Sequence, residues 1–251
     1  MNTSILISVV MPAFNEERWI SESIQSILDQ SFRDFELIIV DDGSTDKTFE
    51  IASSFEDPRV KVYRQENMGP AAARNKALSL VKGQYIALQD ADDRSKPERL
   101  EKQYNFLENH KEYVAIGVAA DYIDKDGVFV YQHNHPEIIP SDWNWIEPPV
   151  IHPSVMLRIQ ALKAVEGYPD IPVSQDTLFL YEISKQGKIS NLSLSLYEYR
   201  ISPYAISRKS REISRIVKQI ISEYIETETL NQALIEEVKT KNKKQNEPAI
   251  F

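Results

Sequence analysis

Three carboxylates stand together in Asp90-Ala-Asp92-Asp93, directly after the apolar run Tyr85-Ile-Ala-Leu88. Acids packed this closely repel one another. A divalent cation among them reverses the sign, and hard cations such as Mg2+ or Mn2+ take oxygen ligands. A second pair, Asp41-Asp42, ends another apolar run, Phe35–Val40. Runs of this length and type read as buried strands. In open α/β sheets, ligands bind just outside the carboxyl ends of the strands. Both acidic groups therefore come to one edge of one sheet. Taken alone, each also reads as a polar loop after a strand, so the rest of the chain has to decide.

Other side chains with chemical potential are scattered along the sequence. Phe14 follows the first strand, where it either stacks a base or fills a core. Asp42 can accept a hydrogen bond from a base N–H. Arg74 lies in the early turns of an alanine-rich helix, where guanidinium and helix N-terminus both favour a phosphate; its other reading is a surface arginine. His133 and His135 form an H-x-H with no third ligand and read as surface histidines. His152 leaves a proline-rich loop and enters a strand. Asp176 is a lone acid on a segment flanked by apolar residues, either a general base or a helix cap. Neither G-x-G-x-x-G nor G-x-x-x-x-G-K-[ST] occurs, and the chain has seven glycines. A nucleotide diphosphate would have to be held by metal and side chains rather than by a glycine cradle.

The elements that position these residues alternate. Strands are expected at Ile5–Met11, Phe35–Val40, Val60–Tyr63 and Tyr85–Leu88. Asn15 is expected to cap a helix bearing Ile20, Ile24, Ile27 and Leu28. Ser44 or Asp46 starts a second, and Ala71–Val81 forms a third. This alternation calls for a mostly parallel central sheet flanked by helices, an α/β fold. Ser95-Lys-Pro97-Glu98 reads as a capping box for the helix with Leu100, Tyr104 and Leu107. Val114–Ile123 and Val128–Tyr131 form a hairpin around Asp126-Gly127. Residues 132–152, broken by Pro136, Pro140, Pro148 and Pro149, read as a long functional loop or lid. Further strands are expected near Ser154–Leu157 and Leu192–Arg200, with helices at Ile159–Val165 and Thr177–Lys185. From Ile206 onward, Ile213, Ile216, Val217, Ile220, Tyr224 and Ile225 make an apolar helical stripe.

Composition bounds the answer. The chain has 251 residues, 42% hydrophobic and 27% charged, ordinary for a soluble globular protein. A net charge of −9 argues against a nucleic-acid partner, since phosphate backbones want a basic face. There is no cysteine, hence no disulfide framework. No basic segment precedes an apolar leader, and no uncharged run approaches the roughly 20 residues of a spanning helix. A cytoplasmic location is expected. Peripheral contact with the inner membrane face is a further option, through the C-terminal stripe and its neighbours Arg208, Lys209, Arg211, Arg215 and Lys218.

Ser8-Val-Val-Met-Pro-Ala-Phe-Asn-Glu16, Ile39-Val-Asp-Asp-Gly-Ser-Thr-Asp46, Asn67-Met-Gly-Pro-Ala-Ala-Ala-Arg-Asn75 and Leu88-Gln-Asp-Ala-Asp-Asp93 occur in that order. With His152-Pro-Ser154, Gln175-Asp176 and Tyr199-Arg200, the set resembles a family 2 glycosyltransferase of GT-A fold, over about residues 5–205. The resemblance implies a nucleotide-sugar half over 1–95 and an acceptor half over 96–205; the apolar stripe and the lysine-rich end make 206–251 a C-terminal helix and frayed tail. It implies a nucleotide-diphosphate sugar donor, most often a UDP-sugar, a Mn2+ or Mg2+ ion, and inversion at the anomeric carbon.

Carried onto this sequence, the resemblance sets Pro12, Phe14 and Glu16 around the nucleoside and Asp42 on the base. Asp90 meets ribose or sugar, Asp92 ligates the metal, and Asp176 is the catalytic base. His152, Gln175 and Arg200 fall to the acceptor site or a lid. Gln175 stands where the family commonly has Glu, and Ser202 where it often has His. The acceptor would be a glycan or lipid-linked molecule, in polysaccharide or glycan assembly. Three alternatives come with it. A receiver domain calls for a shorter chain, and a sugar-nucleotide pyrophosphorylase calls for a glycine-rich basic loop after the first strand. A catalytically degenerate sugar-nucleotide-binding module would keep the donor site without the reaction.

Overall fold

The computed structural model describes residues 5–171, 174–201 and 211–246, excluding the side chains of 211–214 and 242–246. Ser202, Arg208 and Lys209, and the side chains of Arg211 and Ile213, lie outside the described residues.

The first four strands are β1 (Ile7–Ala13), β2 (Phe35–Asp41), β3 (Val60–Arg64) and β4 (Tyr85–Leu88), all parallel in the order β3-β2-β1-β4. The runs of β1, β2 and β4 lack polar alternation because both faces are covered, whereas the edge strand β3 is partly exposed. Val9, Met11, Leu37 and Ile39 face α1 (Ile20–Leu28) and α4 (Arg99–Asn109). Val10, Ile38, Val40 and Leu88 face α3 (Pro70–Ser79) and α6 (Gln175–Ser184). α2 (Thr48–Ser53) and α5 (Ile159–Lys163) are short connectors.

Beyond β4 the sheet turns mixed. β8 (Met156–Arg158) joins β4 antiparallel, because the chain returns through a loop and the 3-10 turn His152–Ser154 rather than through a helical crossover. β6 (Tyr113–Ile123) then pairs with β8, with β9 (Lys188–Arg200) and with the edge strand β7 (Phe129–His133). The two-residue β5 (Arg94–Ser95) closes the far edge on β9. The mostly parallel expectation thus holds for the first half of the sheet.

Residues 134–151 contain no helix or strand. They are pinned nonetheless: Asn191 Nδ2 donates to Pro136 O and Pro149 O, and Val150 is buried. At the C-terminus, α7 (Arg211–Thr227) and α8 (Gln232–Asn246) pack together. Ile216, Val217, Ile220 and Ile221 are buried with Ile171, Leu178, Ile235 and Val238. This packing uses up the stripe on which a membrane contact through this helix would have rested. No helix among the described residues is long and apolar enough to cross a membrane.

Candidate active site

The carboxyl ends of β1, β2 and β4 meet at one edge, in register Ala13 to Asp41 and Val10 to Leu88. Asp42, 3% exposed, accepts from Gln65 Nε2 at 2.8 Å, Met68 N at 3.0 Å and Gly69 N at 2.8 Å. It thereby ties the loop after β3 to the end of β2. Gly43 makes the close approach possible. Its φ is +74°, and a Cβ there would lie 2.8 Å from Asn67 N.

Asn15 does not cap α1. It adopts φ 57°, and its Oδ1 accepts from Thr45 N at 2.9 Å while its N–H donates to Ser44 Oγ at 3.0 Å. The loop after β1 is thus stitched to the loop after β2. Neither of the two expected starts is the N-cap of α2, which is Lys47; Asp46, one residue earlier, accepts from Thr48 N at 2.9 Å. Phe14 is 44% exposed at this rim, so it is not a core aromatic.

The loop after β4 carries the acids. Asp93 is buried and held, with Tyr197 OH donating to it at 2.9 Å and Arg200 N at 2.7 Å. Burial, then the charges of Asp92 and Asp90, push its carboxyl well up. Arg200 was expected at an acceptor site or lid. It is instead buried, with Nε donating to Asp92 O at 2.7 Å and Nη1 to Asp124 O at 3.1 Å. Its donors tie the acid loop to the turn at Asp124 and Lys125 and to Glu22 of α1.

Burial and then Asp90 raise Asp92 to about 6. Burial, then Asp92 and Asp90, raise Glu16 to about 8, and Glu16 Oε2 is buried with no hydrogen-bond partner. These acids are costly as anions where they stand, and one offers an orphan oxygen, so the donor set fits a hard divalent cation. Among the described residues no three such side chains form a finished cage. That suits Mg2+ or Mn2+ bound by one or two carboxylates plus substrate phosphates.

Beneath the acid loop lies a group that sequence patterns did not reveal. Arg99 is fully buried. It donates to Leu88 O at 2.6 Å, Gln89 Oε1 at 2.9 Å, Ser95 Oγ at 2.7 Å and Gln103 Oε1 at 3.1 Å. Gln89 Nε2 in turn donates to Asp93 O at 3.1 Å. Ser95 sits in β5 with its hydroxyl on Gln89 at 2.7 Å, so the expected capping box does not form, and α4 starts without a side-chain cap. The available signal was the spacing of Arg99, Gln103 and Leu107, which share one face of α4.

On the other side of the crevice, Arg74 Nη2 lies 3.1 Å from Asp90 Oδ1, and its guanidinium is 5.6 Å from the Tyr168 ring. Arg74 is therefore a half-buried partner of the acid loop and not a surface arginine. Asn75 holds Tyr168 twice, Nδ2 donating to its carbonyl and Oδ1 accepting from its N–H, both at 2.8 Å. Tyr168 OH and His152 Nε2 are 2.8 Å apart. Burial, then the Arg74 charge, keep His152 neutral.

Asp176 stands in the first turn of α6, one position after buried Gln175. The cap position belongs to Ser174, so Asp176 is not the N-cap. Burial raises its carboxyl while Arg74 pulls it down and Asp90 pushes it up. Val10, Pro12, Arg74, Leu88, Gln89, Asp90 and His152 line the narrow crevice between these groups. His133 and His135 lie off the site, with rings 4.7 Å apart at the end of β7.

The glycosyl transferase family 2 profile matches residues 8–181. EpsE of Bacillus subtilis, named as a glycosyltransferase, is 36% identical over 84% of this chain and 78% of its own length. The uncharacterized glycosyltransferase MJ1057 of Methanocaldococcus jannaschii is 32% identical over 89% and 79%. Crystalline S. aureus TarS 1-349 in complex with UDP-GlcNAc superposes with TM-score 0.75 at 25% identity, over 93% of this chain and 70% of that one. The parallel half-sheet ending in acids, its mixed extension and these matches agree: the chain belongs to glycosyl transferase family 2 and is a glycosyltransferase of GT-A fold.

Proposed function

We propose that this chain moves a sugar from a nucleotide-diphosphate sugar to an acceptor hydroxyl with inversion, Asp176 acting as base and Asp92 as metal ligand. The observation that carries it is the Arg74–Asp90 ion pair at the acidic sheet edge, whose charges also act on the buried carboxyl of Asp176. A UDP-sugar is the donor of choice, in keeping with the UDP-GlcNAc bound by the TarS relative.

Pro12 and exposed Phe14 flank the nucleoside. Three of the roughly four acceptor sites of the Asp42 carboxylate are taken by Gln65, Met68 and Gly69, leaving one for a base N–H. Arg74 neutralises the diphosphate and, through Asp90, orients ribose or sugar. Asp92, with Asp90 and Glu16 nearby, would hold Mn2+ or Mg2+. When bound, that ion supplies Lewis-acid stabilisation of the departing diphosphate, so no protein acid is needed on that side.

Asp176 takes the proton of the acceptor hydroxyl as its oxygen forms a bond to C1. The bond from C1 to the phosphate oxygen breaks on the opposite face, which inverts the centre. Burial makes this carboxylate a stronger base than an exposed one. Gln175 hydrogen-bonds the acceptor in this reading, whereas His152 acts through Tyr168.

Calorimetric titration with nucleoside diphosphates and their sugars, with and without Mn2+, tests the reading. Metal-dependent binding of one nucleotide, lost in Asp92→Ala, is expected. A folded protein that binds no member of the panel would overturn it and favour a degenerate module.

A further inference from the structure

A row of tyrosines crosses the sheet beside the acid loop. Tyr131 on β7, Tyr122 on β6 and Tyr199 on β9 are direct cross-strand partners. Their rings stand 4.5 Å apart from Tyr131 to Tyr122 and 4.9 Å from Tyr122 to Tyr199. His133 meets the row edge-on, 6.1 Å from Tyr122. The register fixes which way the row faces. Tyr199 is two residues from Tyr197 and shares its face, and Tyr197 OH reaches Asp93. One end of the row therefore abuts the acid loop. The other end is open, with Tyr131 46% and its β7 neighbour Phe129 59% exposed.

This surface is apolar over its rings and polar along its hydroxyls. A pyranose has the same two characters, a C–H face and a hydroxyl rim, and aromatic rings are suited to such mixed contacts. An acceptor hydroxyl must come to the donor beside Asp90–Asp93, so the remainder of the acceptor has to lie on the adjoining surface. No cation stands in the row, the acid loop closes one end, and the chain carries a net charge of −9. A polyanionic acceptor would be repelled there.

We infer that the Tyr199–Tyr122–Tyr131 row is the acceptor track, and that the acceptor is a neutral glycan of at least two pyranose units. The inference rests on the glycosyl-transfer reading above but fails separately from it.

The test applies the full chain, with UDP present, to an array of neutral and anionic oligosaccharides of increasing length, and titrates the same preparations with UDP. Neutral oligosaccharides should bind. Tyr131→Ala should weaken them about tenfold, an aromatic contact's share. Tyr131→Phe should retain most of the affinity, and Gln132→Ala, which pairs with Asp121 on the other face, should be without effect. UDP affinity should be unchanged in all three. Glycan binding without UDP binding would uphold the track while counting against the donor reading. Three results would overturn the track: unchanged glycan binding in Tyr131→Ala, a preference for anionic glycans, or a wild-type dimer that Tyr131→Ala converts to monomer. The last would assign the surface to a second copy of the chain.

Discussion

Arg74 Nη2 lies 3.1 Å from Asp90 Oδ1, and Asp176 feels the charge of both. One guanidinium thus pairs with an acid from the end of β4 and also acts by its charge on an acid from the start of α6. It makes tolerable a pair of carboxylates that would otherwise repel. The planar fork also matches a phosphate. Arg74→Lys keeps the charge and loses the fork, so nucleotide-sugar affinity should fall about tenfold; Arg74→Ala should lose about 100-fold. Calorimetry of each variant with the donor measures the difference, and equal affinity for Lys and Ala would deny the fork its role.

Asp176→Asn removes the base and keeps the shape. Donor binding should match the wild type, while transfer falls about 10^3-fold, the range for loss of a positioned proton acceptor. Single-turnover transfer with pre-bound donor separates the two quantities. Full transfer by this variant would remove Asp176 from catalysis.

The pH dependence of stability follows from Glu16. Its folded pKa of about 8 lies above its ordinary 4.5. The protonated folded form is therefore favoured: this stability is fully present below 4.5 and is lost as pH rises towards 8. Thermal melts in chelator should show the wild type losing stability between pH 5 and pH 8 relative to Glu16→Gln. Mn2+ should restore more at the alkaline end. Parallel profiles for the two proteins would contradict the assignment.

Arg99 bears on stability more than on binding. Arg99→Met fills the space but takes its N–H donors from Leu88 O and Gln103 Oε1, while Gln89 Oε1 keeps the Ser95 hydroxyl. The loss should be about 3 kcal/mol, read as a lower urea midpoint at constant slope. A change below about 0.5 kcal/mol would mean that the network closes without the arginine.

Local pattern is enough to find the sheet edge and its acids. β-branched runs alternating with amphipathic helices leave few arrangements besides a covered parallel sheet, and Asp41, Asp42 and Asp90–Asp93 end two of its strands. Strand identity and acid placement are local matters of periodicity and turn chemistry. The ordered motifs carried the family resemblance for the same reason.

Which donor meets which acceptor is set by long-range packing. Arg99 reads as one more charged helix residue until β4, β5 and the 3-10 turn close over it. Arg200 reads as a lid residue until Asp92 and Asp124 offer it their carbonyls. Asn15 reads as a cap until Thr45 comes within 2.9 Å. The tyrosine row exists only because register aligns residues from three strands. Such pairs lie far apart in sequence, and their geometry comes from packing rather than from local pattern. A spacing rule therefore finds the acids, but cannot find what holds them or what lies beside them.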